Sequence, residues 1–258
     1  MLGNANSSND IAAQLVPVAS TPVYRSIRRP AFPGFVSLPD ERIKDIAPVK
    51  KYILHENNKI TAILTDDTEI NDLDLVEVGT GYIPRPSFVH VLDPETRIKA
   101  GPIIHDGIVP YRVPSLHRLI LYAHNPTLAF IGITISYTPF PIADVSSLWL
   151  ALAWRGEVSY PATAEERLIT EQDRLRTIQE FRDKWGDSSL YVYSVLGATE
   201  EGYAAGLRKD IVSARPDLDE VIMHWNEERT KHRETMFSVK RKALEWTRER
   251  KKGTGEII

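Results

Sequence analysis

Gly3-Asn4-Ala5-Asn6-Ser7-Ser8-Asn9-Asp10 runs straight into Ile11-Ala12-Ala13-Gln14-Leu15, and this junction decides the fold. The small polar residues form a turn, and the apolar spacing from Ile11 starts a helix that Ser7, Ser8 or Asn9 can cap. A small-residue turn between a strand and a helix lets a pyrophosphate approach backbone amides at the positive end of the helix. Gly3, Ala5 and Ser8 stand where the usual dinucleotide fingerprint has its three glycines, so the stretch also fits an ordinary strand-to-helix connection. Only Met1 and Leu2 precede the turn, and on this reading the opening strand is missing.

Working outward, Pro22-Val-Tyr-Arg-Ser-Ile-Arg28 alternates like a strand. Tyr24, Arg25, Ser26, Arg28 and Arg29 put hydroxyls and guanidiniums near its end, where an adenosine ribose would lie, and arginine grips a 2′-phosphate as a charge-assisted fork. No acid competes there, which favours NADP over NAD; the alternative is a basic surface strand. After a proline-rich connection, Lys51–His55 and Lys59–Leu64 flank Glu56-Asn57-Asn58 as a hairpin, Asp66-Asp67 closes a second turn, and Asp72–Val78 reads as a strand entering Gly79-Thr80-Gly81. Residues 83–162 are rich in proline and β-branched residues, with short strands expected at Arg118–Tyr122 and Leu128–Gly132. Pro139-Phe-Pro-Ile142 opens a helix to Trp154, with proline where its missing N–H is harmless, and Gly156 ends it. Thr163-Ala-Glu-Glu166 is a capping box for a helix to Trp185, stopped by Gly186. Leu218, Val221, Ile222 and Trp225 then fall on one helical face, as do Met236, Val239, Ala243 and Trp246.

The chain has 258 residues, 42% hydrophobic and 26% charged, enough to bury a core without disulfides or metal. It has no cysteine, which excludes thiol nucleophiles, Cys-ligated zinc and iron–sulfur clusters and favours a reducing compartment. A net charge of −3 gives the whole chain no electrostatic reason to seek nucleic acid or an acidic membrane. The longest apolar run, Thr127–Tyr137, falls short of the about 20 residues of a membrane span. The first residues lack the basic and apolar regions of a signal peptide, and Gly255–Ile258 carries no retention or prenylation signal. A cytoplasmic location is the expectation.

Taken together, Gly3–Asp10 with Ser26-Ile-Arg28, Asp74-Leu-Val-Glu-Val-Gly-Thr-Gly-Tyr82, Asn125-Pro-Thr-Leu-Ala-Phe-Ile-Gly132, Pro139-Phe-Pro-Ile-Ala-Asp144 and Trp154-Arg-Gly156 resemble, in order and spacing, motifs of the flavin-containing monooxygenases and their Baeyer–Villiger relatives. That resemblance covers residues 3–165. It implies an α/β fold: an incomplete Rossmann-like NADPH-binding domain (1–82), the C-terminal portion of an FAD-binding domain (83–162) and a helical region (163–258). It further implies that Gly3, Asn4, Ala5, Ser7 and Ser8 line the NADPH pyrophosphate and that Ser26 and Arg28 take the 2′-phosphate. Thr80, Gly81 and Tyr82 would form the hinge near flavin, and Gly132, Pro141, Ile142 and Asp144 would lie close to the isoalloxazine, where a helix N-terminus stabilises charge on a reduced flavin.

The implied cofactors are FAD and NADP, and the implied activity is oxygenation of a small organic substrate, a frequent tailoring step in secondary metabolism. The chain departs from the family pattern at Ser8 (usually glycine), Gly79 (usually alanine) and Ser146 (usually glutamine), and it contains no Gly-x-Gly-x-x-Gly for FAD. It therefore reads as an N-terminally shortened member. The competing readings are a non-redox binding or cyclase-type descendant, and a half-enzyme completed by a separate FAD-binding chain; a homo-oligomer is the other partner expected.

Other residues carry less. The seven histidines show no metal spacing, and His105-Asp106 or His124 with Ser136 are not selected over ordinary loop polar groups. The basic tail from Arg229 to Lys252 is interspersed with acids and reads as a solvated helix face rather than a nucleic-acid arm. Trp185, Trp225 and Trp246 read as core or interface anchors.

Overall fold

A computed structural model describes residues 1–29, 34–35, 37–92, 99–186 and 191–254; the C-terminal reading of Gly255–Ile258 lies outside them. The chain divides into two compact units, Met1–Tyr82 with Glu234–Ile258, and Ile83–Arg233.

In the first unit, β1 (Val23–Ser26) pairs in parallel with β2 (Ile43–Ile46), Val23 opposite Ile43 and Ser26 opposite Ile46. Leu2 forms parallel bridges to Ser26 on one side and Val78 on the other. Its amide donates to Glu77 at 2.8 Å and its carbonyl accepts from Gly79 at 2.9 Å. The chain then turns at Gly3 into α1 (Asn6–Leu15), whose Ala12 and Val16 pack with Val23 in a small core. Parallel pairing of this kind needs a crossover, which α1 provides between Leu2 and β1.

An antiparallel meander follows: β3 (Val49–Leu54), β4 (Ile60–Leu64) and β5 (Glu69–Leu73). Its two turns are set by Asn58 and Asp67, both left-handed with φ of 61° and 62°, residue types that tolerate this region. The expected strand over 72–78 is broken, because Asp72 is also left-handed (φ 61°) and β5 ends at Leu73; beyond it only Val78 pairs, beside Leu2. Strand β2 went unread in the sequence, since Ile43-Lys-Asp-Ile46 is short and half charged.

In the second unit, β6 (His90–Leu92) and β7 (Lys99–Pro102) form one antiparallel pair, and β8 (Leu116–His117) and β9 (Leu121–Tyr122) another. The expected strand Arg118–Tyr122 is instead a hairpin turn. Ile120 N–H bonds to His117 O at 3.0 Å, with Arg118 (φ 51°) and Leu119 (φ 59°) both left-handed. Leu128–Gly132 is likewise no strand; it touches the hairpin through single bonds, such as Phe130 N–H to Ile120 O at 2.9 Å.

The helices α2 (Pro139–Trp154), α3 (Ala164–Trp185) and α4 (Glu200–Ala214) build the main core around Trp149, Leu207 and Ile211. The Thr163 capping box forms as the spacing dictates, its hydroxyl accepting from Glu166 N–H at 3.2 Å. Leu218–Trp225 is not a helix. Arg215 leaves the helical region before Pro216, which disfavours that region in its predecessor, and after a short 3₁₀ turn at Pro216–Leu218 Ile222 is buried while Val221 is exposed. The last helix, α5, runs over Glu227–Thr254. Among the described residues no helix is long and apolar enough to cross a membrane.

Candidate functional site

The first unit gathers its turn residues at one end of its parallel strands, the end where open α/β sheets bind ligands. Gly3 N–H donates to Ser26 O at 3.1 Å, and the Asn4 side-chain amide donates to Arg29 O at 3.2 Å. Gly3 (φ 101°) is under a second constraint: a Cβ there would stand 2.5 Å from Gly79 O and 2.9 Å from Ser8 Oγ. Glycine is thus required by the close crossing of Gly3 and Gly79, apart from any ligand. Helix α1 begins with Ala5 as its N-cap, has no side-chain cap and carries no acid in its first turn. Its end is therefore unopposed for an anion, and the donor set fits a pyrophosphate.

The two family departures in this unit meet each other. Ser8 is fully buried and its hydroxyl donates to Gly79 O at 2.6 Å. A Cβ on Gly79 would stand only 2.1 Å from that hydroxyl oxygen. Serine at 8 and glycine at 79 are a matched pair.

Ser26 is buried and donates to Ala47 O at 3.1 Å. Arg28 is exposed and pairs with no described residue, whereas Ser7 is exposed at the start of α1. Thr80, Gly81 (φ 87°) and Tyr82 are exposed, Tyr82 at 93%. Two cations of this unit are committed to partners within the chain. Arg25 forks onto Asp45 (2.7 and 3.0 Å) and donates to Asn9 Oδ1 at 2.7 Å, clamping α1 to β1. Lys240 on α5 pairs with Asp10 at 2.8 Å and donates to Asn6 Oδ1 at 3.2 Å, so the basic tail is not simply a solvated face. The register partner Arg25 opposite Asp45 was a signal once β2 was known.

In the second unit, Gly132 (φ 77°) lies in an exposed turn, while Pro141, Ile142 and Asp144 sit in the first two turns of α2. Pro141 is half-buried, Asp144 is exposed, and Ile142 points into the core at 1% exposure. The segment before α2 is fastened by buried Glu200, which accepts from Tyr137 N–H at 2.7 Å and from the Thr138 hydroxyl at 2.6 Å. Ser146 is buried 3.4 Å from the Tyr203 hydroxyl, whose pKa burial raises to about 12. His117 is buried beside Trp149, its ring nitrogen 3.3 Å from Arg167 O, and burial lowers its pKa to about 4. Trp225 packs on the core as expected of an anchor, but Trp185 and Trp246 are exposed, stacked under Lys184 and Arg250.

No protein-family model matches the chain. It is 28% identical over 152 residues to a thiol-specific monooxygenase of Saccharomyces cerevisiae, covering 57% of this chain and 32% of that protein. It is 24% identical over 212 residues to a flavin-containing monooxygenase of Aspergillus flavus, covering 76% and 42%. The chain thus spans well under half the length of these curated relatives. Among solved structures, S-allyl-L-cysteine S-oxygenase of Allium sativum covers 92% of this chain and 53% of its own at 18% identity and a TM-score of 0.53. Tmm of Pelagibacter covers 81% and 41% at 18% identity and a TM-score of 0.52. The shared fold is a mixed α/β architecture with a helical C-terminal region, and in sequence the chain is similar to a thiol-specific and a flavin-containing monooxygenase.

Proposed function

We propose that this chain acts in flavin-dependent oxygenation of a small organic substrate, with the first unit holding NADPH and the second contributing to the flavin site. The observation that carries the reading is the sequence similarity to two monooxygenases. The uncapped, acid-free start of α1 beside Gly3 and Asn4 supports the nucleotide part of it. In this reading the pyrophosphate sits against the amides following Gly3, with Asn4, Ala5, Ser7 and Ser8 shaping the turn. Arg28, exposed and unpaired among the described residues, takes the 2′-phosphate. Ser26 acts through its backbone, because its hydroxyl is committed to Ala47. Thr80, Gly81 and Tyr82 follow the cradle as the hinge, and Gly132, Pro141 and Asp144 border the flavin, with Ile142 fixing the start of α2 from the core. Bound flavin would supply the redox chemistry; the chain's own residues bind, orient and exclude water. A role in secondary metabolism and a cytoplasmic location belong to the same proposal.

The test is to mix the purified chain with FAD and NADPH and follow flavin fluorescence quenching, nucleotide binding and NADPH-dependent oxygen uptake. Saturable binding of both cofactors with oxygen uptake supports the reading. A folded protein that ignores FAD and NADPH overturns it for this chain.

A further inference from the structure

The second unit holds a cavity of about 590 Å³ that the flavin reading leaves unused. Arg174 and Thr170 of α3, Gly202, Tyr203 and Gly206 of α4, and Leu119 of the β8–β9 hairpin line it. We propose that this cavity binds an organic monoanion, a carboxylate carried on an apolar body.

Arg174 is held only by neutral acceptors: Tyr193 O at 3.2 Å, Thr199 Oγ1 at 3.0 Å and Val195 O. Among the described residues it forms no ion pair with a carboxylate, and its remaining N–H groups find no acceptor. The other charges of the cavity are balanced: Arg118 pairs with Asp210 at 2.8 Å, and Asp173 with Arg176 at 3.4 Å. Among the described residues one cation is left over, partly desolvated, in an opening with leucine walls. Arg167, about two turns earlier on α3, is a useful contrast. It bonds only carbonyls, those of Ala123, Pro161 and Ala162, and it is closed over. A buried guanidinium satisfied by carbonyls is structural where it is sealed; where it opens onto a cavity it can receive a carboxylate as a charge-assisted fork.

Backbone strain converges on the same cavity. Arg118 and Leu119 are consecutive left-handed residues, in a turn geometry that asparagine and glycine normally supply. Side chains of the cavity enforce it: Thr170 Oγ1 accepts from Arg118 N–H at 2.9 Å, and the Tyr203 hydroxyl donates to Arg118 O at 3.0 Å. Strain over-determined by surrounding groups concentrates at ligand sites. Gly202 and Gly206 keep the α4 wall bare, and a Cβ at Gly202 would meet nothing within 4 Å.

Isothermal titration with 4-phenylbutyrate and octanoate, and with 4-phenylbutyramide as the neutral counterpart, tests the site on the full chain. The carboxylates are expected to bind at least about tenfold more tightly than the amide, the span of one charge-assisted hydrogen bond. Arg174→Gln is expected to lose that preference. Because Arg174 also anchors residues 193–199, Gly202→Leu is the decisive variant: it fills open space, keeps or raises the melting temperature, and abolishes binding. Absence of saturable carboxylate binding, equal binding of the amide, or binding that survives in a folded Gly202→Leu protein each overturns the proposal. None of these readouts involves FAD or NADPH, so the outcome is independent of the monooxygenase reading.

Discussion

Replacing Gly79 by alanine places a Cβ 2.1 Å from Ser8 Oγ, 3.1 Å from Ser8 Cβ and 3.2 Å from Leu2 O. The first contact lies more than about 1 Å inside the roughly 3.5 Å at which such atoms attract. Ser8 is fully buried, so its hydroxyl can escape only by abandoning its 2.6 Å bond to Gly79 O. Overpacking costs about 1–3 kcal/mol and the lost bond in a buried site about 1 kcal/mol more, so Gly79→Ala should destabilise the chain by roughly 2–4 kcal/mol. Backbone strain adds nothing, because Gly79 is not in the left-handed region. Ser8→Gly alone should cost about 2 kcal/mol, from the lost bond and a glycine inside α1. In the Ser8→Gly background the clash has no partner, and Gly79→Ala should cost less than about 1 kcal/mol, the residue of its contact with Leu2 O. The assay is a double-mutant cycle by urea denaturation, with a coupling energy of at least about 1.5 kcal/mol expected. Additivity to within about 0.5 kcal/mol would refute the matched-pair argument.

His117 is 4% exposed and its pKa falls to about 4 in the folded chain, against 6.5 unfolded, because burial disfavours its charge. Below pH 6.5 the unfolded chain takes up a proton the folded chain refuses, so stability should fall between pH 6.5 and 4 by up to about 3 kcal/mol; denaturation across that window should show the slope, and His117→Phe should flatten it. Glu171 accepts from Arg112 at 2.6 Å and from Ser115 N–H at 3.0 Å inside the second unit; Glu171→Ala leaves both donors stranded and should cost about 3–5 kcal/mol, whereas a loss under 1 kcal/mol would show the pair to be solvated. If Arg28 reads the 2′-phosphate, Arg28→Ala should weaken NADPH binding about 10–100-fold and leave NADH unchanged; equal loss for both nucleotides would assign Arg28 another role.

Local signals in the sequence were read correctly where the decisive interactions are local. The Thr163 capping box, the Pro139 helix start, the Gly156 and Gly186 stops and the Asn58 and Asp67 turns all form from residues within a few positions of one another. The hairpin at Arg118-Leu119 was misread because its residues favour a strand, and only Thr170 and Tyr203, more than fifty positions away, hold them left-handed. The arginines of α3 were passed over for a related reason. On a charged helix they read as solvent-facing, yet Arg167, Arg174 and Arg182 reach into the surrounding segments to satisfy their carbonyls.

The same division runs through the candidate site. By itself the sequence determined the turn from Gly3 into α1, the basic end of β1 and the likeness to flavin-containing monooxygenases, because these depend on residue type and spacing. Only the tertiary structure decided that Gly3 is glycine on account of Gly79, that Ser8 and Gly79 fit as one unit, and that Ser26 spends its hydroxyl on Ala47. It also decided that Arg174 reaches a cavity with no carboxylate partner among the described residues. The physical reason is that steric exclusion and charge pairing act between atoms a few ångströms apart, and the fold alone brings residues 8 and 79, or 118 and 203, to that distance.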